Sequence, residues 1–168
     1  MRQITAGQGT VTNQHYNVKT FHSTNSVGYL LKVSHAQMLA RAEAIFAPNG
    51  ISFVQWMALL KLSEGQAQTA SDLCRAMCHD NGAVTRMLDQ LEERGYVTRQ
   101  RSVQDRRVVE LALTAAGEQQ VAALKPQFVE ALNGLMDGFS KAEFAELTRL
   151  LNKLLLALQT KGLAGAEG

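Results

Sequence analysis

One stretch, NGAVTRMLDQLEERGYVTRQRSVQDRRVVELAL over residues 81–113, constrains the fold more than any other. Val84, Met87, Leu88 and Leu91 recur at i, i+3, i+4 and i+7, which lays one apolar stripe along a helix. Asp80 stands just before it, where a carboxylate accepts the orphan N–H groups of a first turn. The opposite face carries Gly82, Thr85, Arg86, Asp89, Gln90 and Glu93, and Gly95 is placed to stop the helix. Residues 96–101 and 108–113 then read as a hairpin, with Val109, Leu111 and Leu113 alternating towards a core. Arg99, Arg101, Arg106 and Arg107 crowd its turn end.

A half-buried helix with an arginine-bearing outer face, beside a basic hairpin, predicts a winged helix-turn-helix that binds double-stranded DNA. The helix enters the major groove and the hairpin is the wing. Arg86, in the second turn, is the expected base contact, with Asn81, Thr85 and Gln90 touching bases or phosphates. Arg99 and Arg101 read as phosphate contacts. Asp105 is expected to hold an arginine by a charge-assisted bond while Arg106 or Arg107 enters the minor groove, and the residues alone do not separate these two. Asp89 and Glu93 would repel phosphates, so they are expected to turn aside or pair with arginines. Net charge is only +2, so the distribution of charge carries this argument. Seven of the ten arginines fall between Arg75 and Arg107 and no lysine does, and arginine's planar fork suits guanine edges and phosphates. Neighbouring acids offset much of that charge, which predicts modest, salt-dependent non-specific affinity.

Val84-Thr85-Arg86, Leu88-Asp89-Gln90-Leu91-Glu92, Arg94-Gly95, Asp105-Arg106-Arg107 and Leu113-Thr114-Ala115-Ala116-Gly117 resemble, in order and spacing, the MarR/SlyA family of bacterial transcription regulators. The chain departs from that pattern at Ser102-Val103, where Asp-Pro is frequent, and at Cys78-His79, where glycine and an aliphatic are usual. The resemblance implies a homodimer joined through its terminal helices, with two winged lobes on a pseudo-palindromic operator. It implies a repressor more often than an activator. It makes Arg86 the base-reading arginine and favours Arg107 at the wing tip, with Arg106 near the backbone. It also implies a small-molecule effector, often aromatic or phenolic, held between lobe and bundle. His35 and Trp56 are the candidate liners there, against plain core packing.

The rest of the chain fits around this lobe. Residues 1–25 are polar and aperiodic and read as an arm, with His15 and His22 in solvent. Residues 26–46 read as a long helix with Val27, Leu31, Met38, Ala42 and Ile45 along one side, closed by Pro48-Asn49-Gly50. Ser52 and Gln55 form a capping box, Ile51 staples onto Trp56, and Phe53, Trp56, Leu59 and Leu60 face inward before Gly65. Thr69 caps a short helix with Leu73 and Met77 buried, so residues 69–94 make the helix-turn-helix. Thr114 caps a helix to about Gly138, which Pro126 is expected to kink or break. Ser140 and Glu143 cap the last helix, where Phe144, Leu147, Leu151, Leu154 and Leu158 recur close to a heptad, widened by Leu150 and Leu155. A stripe that wide calls for a partner. The fold class is therefore mainly α with a small β-hairpin wing, a winged helix-turn-helix lobe plus a helical dimerisation bundle. Residues 1–25 are the arm and 26–161 the winged-helix domain, with the lobe about 52–113, dimerisation helices about 26–46 and 114–160, and a tail over 162–168.

A chain of 168 residues fits one domain with a real core. No apolar run approaches the ~20 residues of a membrane span, and the start lacks a signal-peptide pattern, so a cytoplasmic protein with no membrane partner is expected. No glycine-rich phosphate loop, nucleophile elbow or HExxH motif occurs, so no enzyme, cofactor or metal is expected. The alternative function rests on Cys74, Cys78 and His79. The two thiols lie one helical turn apart and would serve a redox- or metal-responsive regulator. The plainer reading is two small buried cysteines in a reducing compartment, with His79 filling an aliphatic's place in the turn.

Overall fold

The computed structural model of the chain describes residues 15–164; the earlier part of the expected arm and the end of the tail lie outside them. The chain divides into two units, residues 1–41 and 42–168. In the first, a turn over residues 18–20 is described in the arm. A 3-10 turn, Ser23–Asn25, leads into α1 (Val27–Phe46). The first turn of a helix has N–H groups without intrahelical partners. Here the Tyr16 hydroxyl accepts the Val27 N–H at 2.9 Å, and Ser26 Oγ accepts the Tyr29 N–H at 3.2 Å. Tyr16 and Phe21 meet edge to face. Val27, Leu30, Leu31, Val33 and Met38 are all exposed along α1.

The second unit holds the last turn of α1, then α2 (Phe53–Ser63), α3 (Ala70–Met77), α4 (Asn81–Glu93), β1 (Val97–Arg101), β2 (Val109–Leu113), α5 (Ala115–Leu135) and α6 (Lys141–Ala164). Its starts are set by local side chains. Ser52 with Gln55 and Thr69 with Asp72 form reciprocal capping boxes, and Asp80 and Thr114 cap α4 and α5. Gly50, Gly65 and Gly95 take positive φ at the stops. Phe46, off the apolar stripe the sequence predicts, is fully buried. Its ring lies 4.8 Å from Trp56 and 5.7 Å from Phe128, between centroids, and Trp56 lies 5.2 Å from Phe128. This aromatic cluster ties the end of α1 to α2 and α5. Leu59, Leu73, Val84, Leu88, Leu91, Val97 and Leu124 continue the core under α4 and the hairpin. Met77, expected inside, is half-buried.

The hairpin is antiparallel, Val97 pairing with Leu113 and Arg101 with Val109. Leu111 is buried, and its N–H donates to Gln68 O at 2.8 Å, so the linker before α3 holds the base of the wing. Val109, expected to face the core, is exposed because its register position lies opposite Arg101 at the open end. The start of α5 is locked to the same base. Thr114 N–H donates to Tyr96 O at 3.1 Å, and a Cβ on Gly117 would stand 2.2 Å from that same carbonyl. Thr-x-x-Gly is thus a close approach of helix to strand that admits no side chain.

Pro126 lies inside α5 and does not break it, so of the two expected outcomes, a kink or a break, the break is excluded. Proline in a helix interior costs about 3 kcal/mol, and packing of Val121, Leu124 and Phe128 into the core outweighs that local loss. No helix among the described residues is long and apolar enough to cross a membrane.

Candidate nucleic-acid interface

Helix α4 is held from both ends and from beneath. Asp80 Oδ1 accepts the Ala83 N–H at 2.9 Å. That bond, with the nearby Arg86 charge, keeps the Asp80 carboxyl below its ordinary range. Val84, Met87, Leu88 and Leu91 are buried, as the periodicity requires. At the far end the Arg94 guanidinium donates to Gly50 O, a tie with no sequence signal. The outer face then presents Asn81, Thr85, Arg86 and Gln90, all exposed. The Thr85 hydroxyl donates to Asn81 O at 2.8 Å, so towards solvent it offers only acceptor capacity. Among the described residues the Arg86 guanidinium makes no hydrogen bond or ion pair. Gln90 Oε1 accepts from Gln55 Nε2 at 2.7 Å. Arg86 and Gln90 line one wall of an open groove of about 270 Å³, with Ser52, Gln55, His79 and Ala83 also lining it.

The hairpin arginines have different employments. Arg99, read as a phosphate contact, reaches back to α4 instead, with Nη2 2.7 Å from Asp89 and Nη1 2.7 Å from Glu92. Its side chain is only 28% exposed. A fork between two carboxylates fastens β1 to α4 and neutralises both acids. Of the two acids expected to turn aside or pair with arginines, Asp89 pairs; Glu92, for which no pairing is foreseen, completes the fork. Asp105 also differs from its expected role. Its carboxylate accepts the backbone N–H of Arg107 at 2.9 Å and its carbonyl accepts the Val108 N–H at 2.9 Å, so it shapes the turn rather than holding a guanidinium. Ser102 is buried there; its N–H donates to Val108 O and its hydroxyl accepts from Gln104 N–H. Arg101 Nη1 reaches Arg106 O at 3.5 Å. The side chains of Arg106 and Arg107 are exposed and hold no ion pair among the described residues.

In the turn, Cys78 closes α3 with φ 53° and ψ 42°, where the family pattern has glycine. It is exposed, Cys74 is half-buried, and the Cys74 thiol donates to Asn81 Oδ1 at 3.0 Å, so neither is a fully buried cysteine. His79 is exposed and bonds Met77 O through Nδ1 at 2.7 Å, and so does not substitute for a packed aliphatic. No three His, Cys, Asp or Glu side chains among the described residues gather as a metal-binding set. Trp56 is enclosed by Phe46 and Phe128, its indole N–H without a partner among the described residues, so core packing describes it better than lining does. His35 is exposed on α1 in the first unit. The residue that sequence reasoning missed is Gln55. Its place in a capping box accounted for its backbone and carbonyl, and nothing in the spacing pointed its amino group at Gln90.

The comparisons with known proteins agree with this geometry. The MarR family model matches residues 51–109, from just before α2 to the first residue of β2. An organic hydroperoxide resistance transcriptional regulator of Bacillus subtilis (strain 168) is 32% identical over 136 residues, covering 81% of this chain and 89% of that protein. The transcriptional repressor MprA of Escherichia coli (strain K12) is 30% identical over 125 residues, covering 73% and 71%. The crystal structure of a MarR mutant from E. coli complexed with operator DNA superposes with a TM-score of 0.70 at 28% identity, over 76% of this chain and 92% of that one. With a relative this similar along most of both sequences, the chain belongs to the MarR family of DNA-binding transcription regulators.

Proposed function

We propose that this regulator is a sequence-specific repressor acting in the cytoplasm, bound as a homodimer to a pseudo-palindromic operator and released by a small aromatic or phenolic effector. The observation that carries the DNA reading is Arg86. A helix capped at its start and buried along one face presents, on the other, an arginine without an ion pair among the described residues. Arg86 reads a base edge in the major groove, with Asn81 and Thr85 beside it. Arg106 and Arg107 enter the adjoining minor groove from a turn shaped by Asp105, while Arg101 stays near the backbone. Arg99 acts through the wing's attachment to α4 rather than through phosphate. The uncovered apolar faces of α1 and α6 support a dimer. For the effector the support is family membership, together with an open groove of about 490 Å³ between Ile45 and Asn49 on one side and Gln127 and Glu130 on the other.

The test is a matrix of variants against single-base variants of a selected operator at two salt concentrations. Arg86→Ala should cost on the order of 1–3 kcal/mol per half-site and relax preference at one base pair. Arg107→Ala should weaken binding most where the minor groove is narrow and A·T-rich. Equal loss across every operator variant for Arg86→Ala would remove its base-reading role.

A thiol-responsive regulator is the second reading, favoured by the bond from the Cys74 thiol to Asn81, the first residue of α4. If a peroxide takes two electrons and two protons from Cys74 and Cys78 to join them, that bond is lost. DNA affinity should then fall on oxidation in the native chain and stay constant in Cys74→Ser. Equal response of the two proteins removes this reading.

A further inference from the structure

Gln55 lies on α2, outside the recognition helix, and is 8% exposed. Its hydrogen bonds run in one direction. The Ser52 N–H is a donor only, and it faces Gln55 Oε1 at 3.0 Å. That settles which end of the Gln55 amide is oxygen and which is nitrogen. The other end is then Nε2, a donor only, 2.7 Å from the side chain of Gln90. Gln90 must accept through Oε1. Its own amino group has no partner among the described residues and remains on the exposed face of α4, in the groove it shares with Arg86.

From this chain of donors we infer that Gln55 is a positioning residue for sequence recognition: it fixes Gln90 as a hydrogen-bond donor towards the major groove. The inference rests on the reading that α4 enters that groove. Glutamine usually recognises adenine with both ends of its amide, the oxygen accepting from N6 and the nitrogen donating to N7. With Oε1 already bonded to Gln55, the amino end is the one without a partner among the described residues and so the one turned to a base. Gln90 then favours an edge that presents acceptors with no donor beside them, guanine O6 and N7 or thymine O4, over adenine, where N7 alone accepts. It discriminates against cytosine, whose N4 amino group is a donor, and gives up the two-bond contact with adenine. A helix start buried under the recognition helix thus sets the polarity of a base contact it never makes.

The experiment is operator selection and titration with four proteins: the native chain, Gln55→Glu, Gln90→Ala and the double variant. Glutamate at this position keeps the capping box, because one carboxylate oxygen still accepts the Ser52 N–H. The other oxygen can no longer donate, so the Gln90 amide turns over, gives its amino group to the new carboxylate and offers Oε1 to the DNA. Gln55→Glu should therefore move preference at one base pair per half-site from guanine or thymine towards adenine or cytosine. The discrimination should be roughly threefold to tenfold, the worth of one hydrogen bond. In the Gln90→Ala background the same substitution should only weaken all sequences alike, through its added negative charge. If Gln55→Glu lowers affinity evenly in both backgrounds, or shifts preference without Gln90, the inference is overturned. Should the new carboxylate prevent folding, Gln55→Met decides instead: without the donor Gln90 is released, and preference at that base pair relaxes or the inference fails. A native chain that selects no sequence overturns the DNA reading itself, which is a different result from selection that ignores Gln55.

Discussion

Cys78 shows how one residue can carry the cost of a turn. With φ at 53° it occupies the left-handed region at the end of α3, where a Cβ crowds the backbone and glycine does not. Its N–H still donates to Cys74 O, so the helix is closed at the expense of local strain. Cys78→Gly should raise stability by up to about 1 kcal/mol, and Cys78→Val should lower it, because a β-branched side chain tolerates this region worst. Urea unfolding midpoints of the three proteins check the order. The arginines teach the complementary lesson. Arg86 and Arg99 are chemically identical and look alike as basic residues in a basic segment. Asp89 and Glu92 lie 2.7 Å from Arg99, whereas Arg86 has no carboxylate partner among the described residues, so of these two Arg86 is the guanidinium open to a ligand.

At the scale of elements, the starts and the glycine stops at Gly50, Gly65 and Gly95 were legible because they depend on neighbours within four residues, whereas α5 ends at Leu135 rather than near Gly138 and α6 runs past Gly162 to Ala164. Ser52, Thr69, Asp80, Thr114 and Ser140 all cap where the sequence places them. What was not legible depends on distant packing. Pro126 looks like a break until Phe128 is seen against Trp56, and Val109 looks like core until its register partner proves to be Arg101. The Gln55 to Gln90 bond spans 35 residues and leaves no periodic trace. The start of α3 also carries a pH dependence. The Thr69 hydroxyl, the Gln68 N–H and the Arg75 guanidinium around Asp72 lower its carboxyl from 3.8 to about 2. A depressed carboxylate contributes stability that is fully present above its unfolded value and lost as pH falls through its folded value. The window is therefore pH 4 down to about 2. Asp72→Asn should make the protein less stable at neutral pH and flatten the acid limb of its stability curve. Denaturant titrations from pH 6 to pH 2.5 check this, and an unchanged slope would disconnect Asp72 from acid unfolding.

For the whole molecule the governing fact is apolar surface without cover. On α6, Phe144 is 49% exposed and Leu155 53%, with Leu150, Leu151 and Leu158 on the same helix also exposed. Surface of this kind is a liability in a lone chain and an asset at an interface. Leu151→Asp should convert a dimer to monomer and lower the thermal midpoint in a concentration-dependent way, and sedimentation across micromolar concentrations measures it. Two recognition helices in such a dimer would meet successive major grooves about 34–36 Å apart. The aromatic cluster of the second unit has one further consequence, an optical one. Trp56 is the sole tryptophan, wholly enclosed, with its indole N–H bonded to nothing among the described residues. The folded protein should therefore fluoresce towards the blue, and a bulky quencher should leave it bright. Operator bound at the outer face of α4 should not disturb that signal, whereas anything that parts Phe128 from Phe46 should redden it. A single native chromophore thus separates occupancy of the DNA surface from opening of the core, with no label attached.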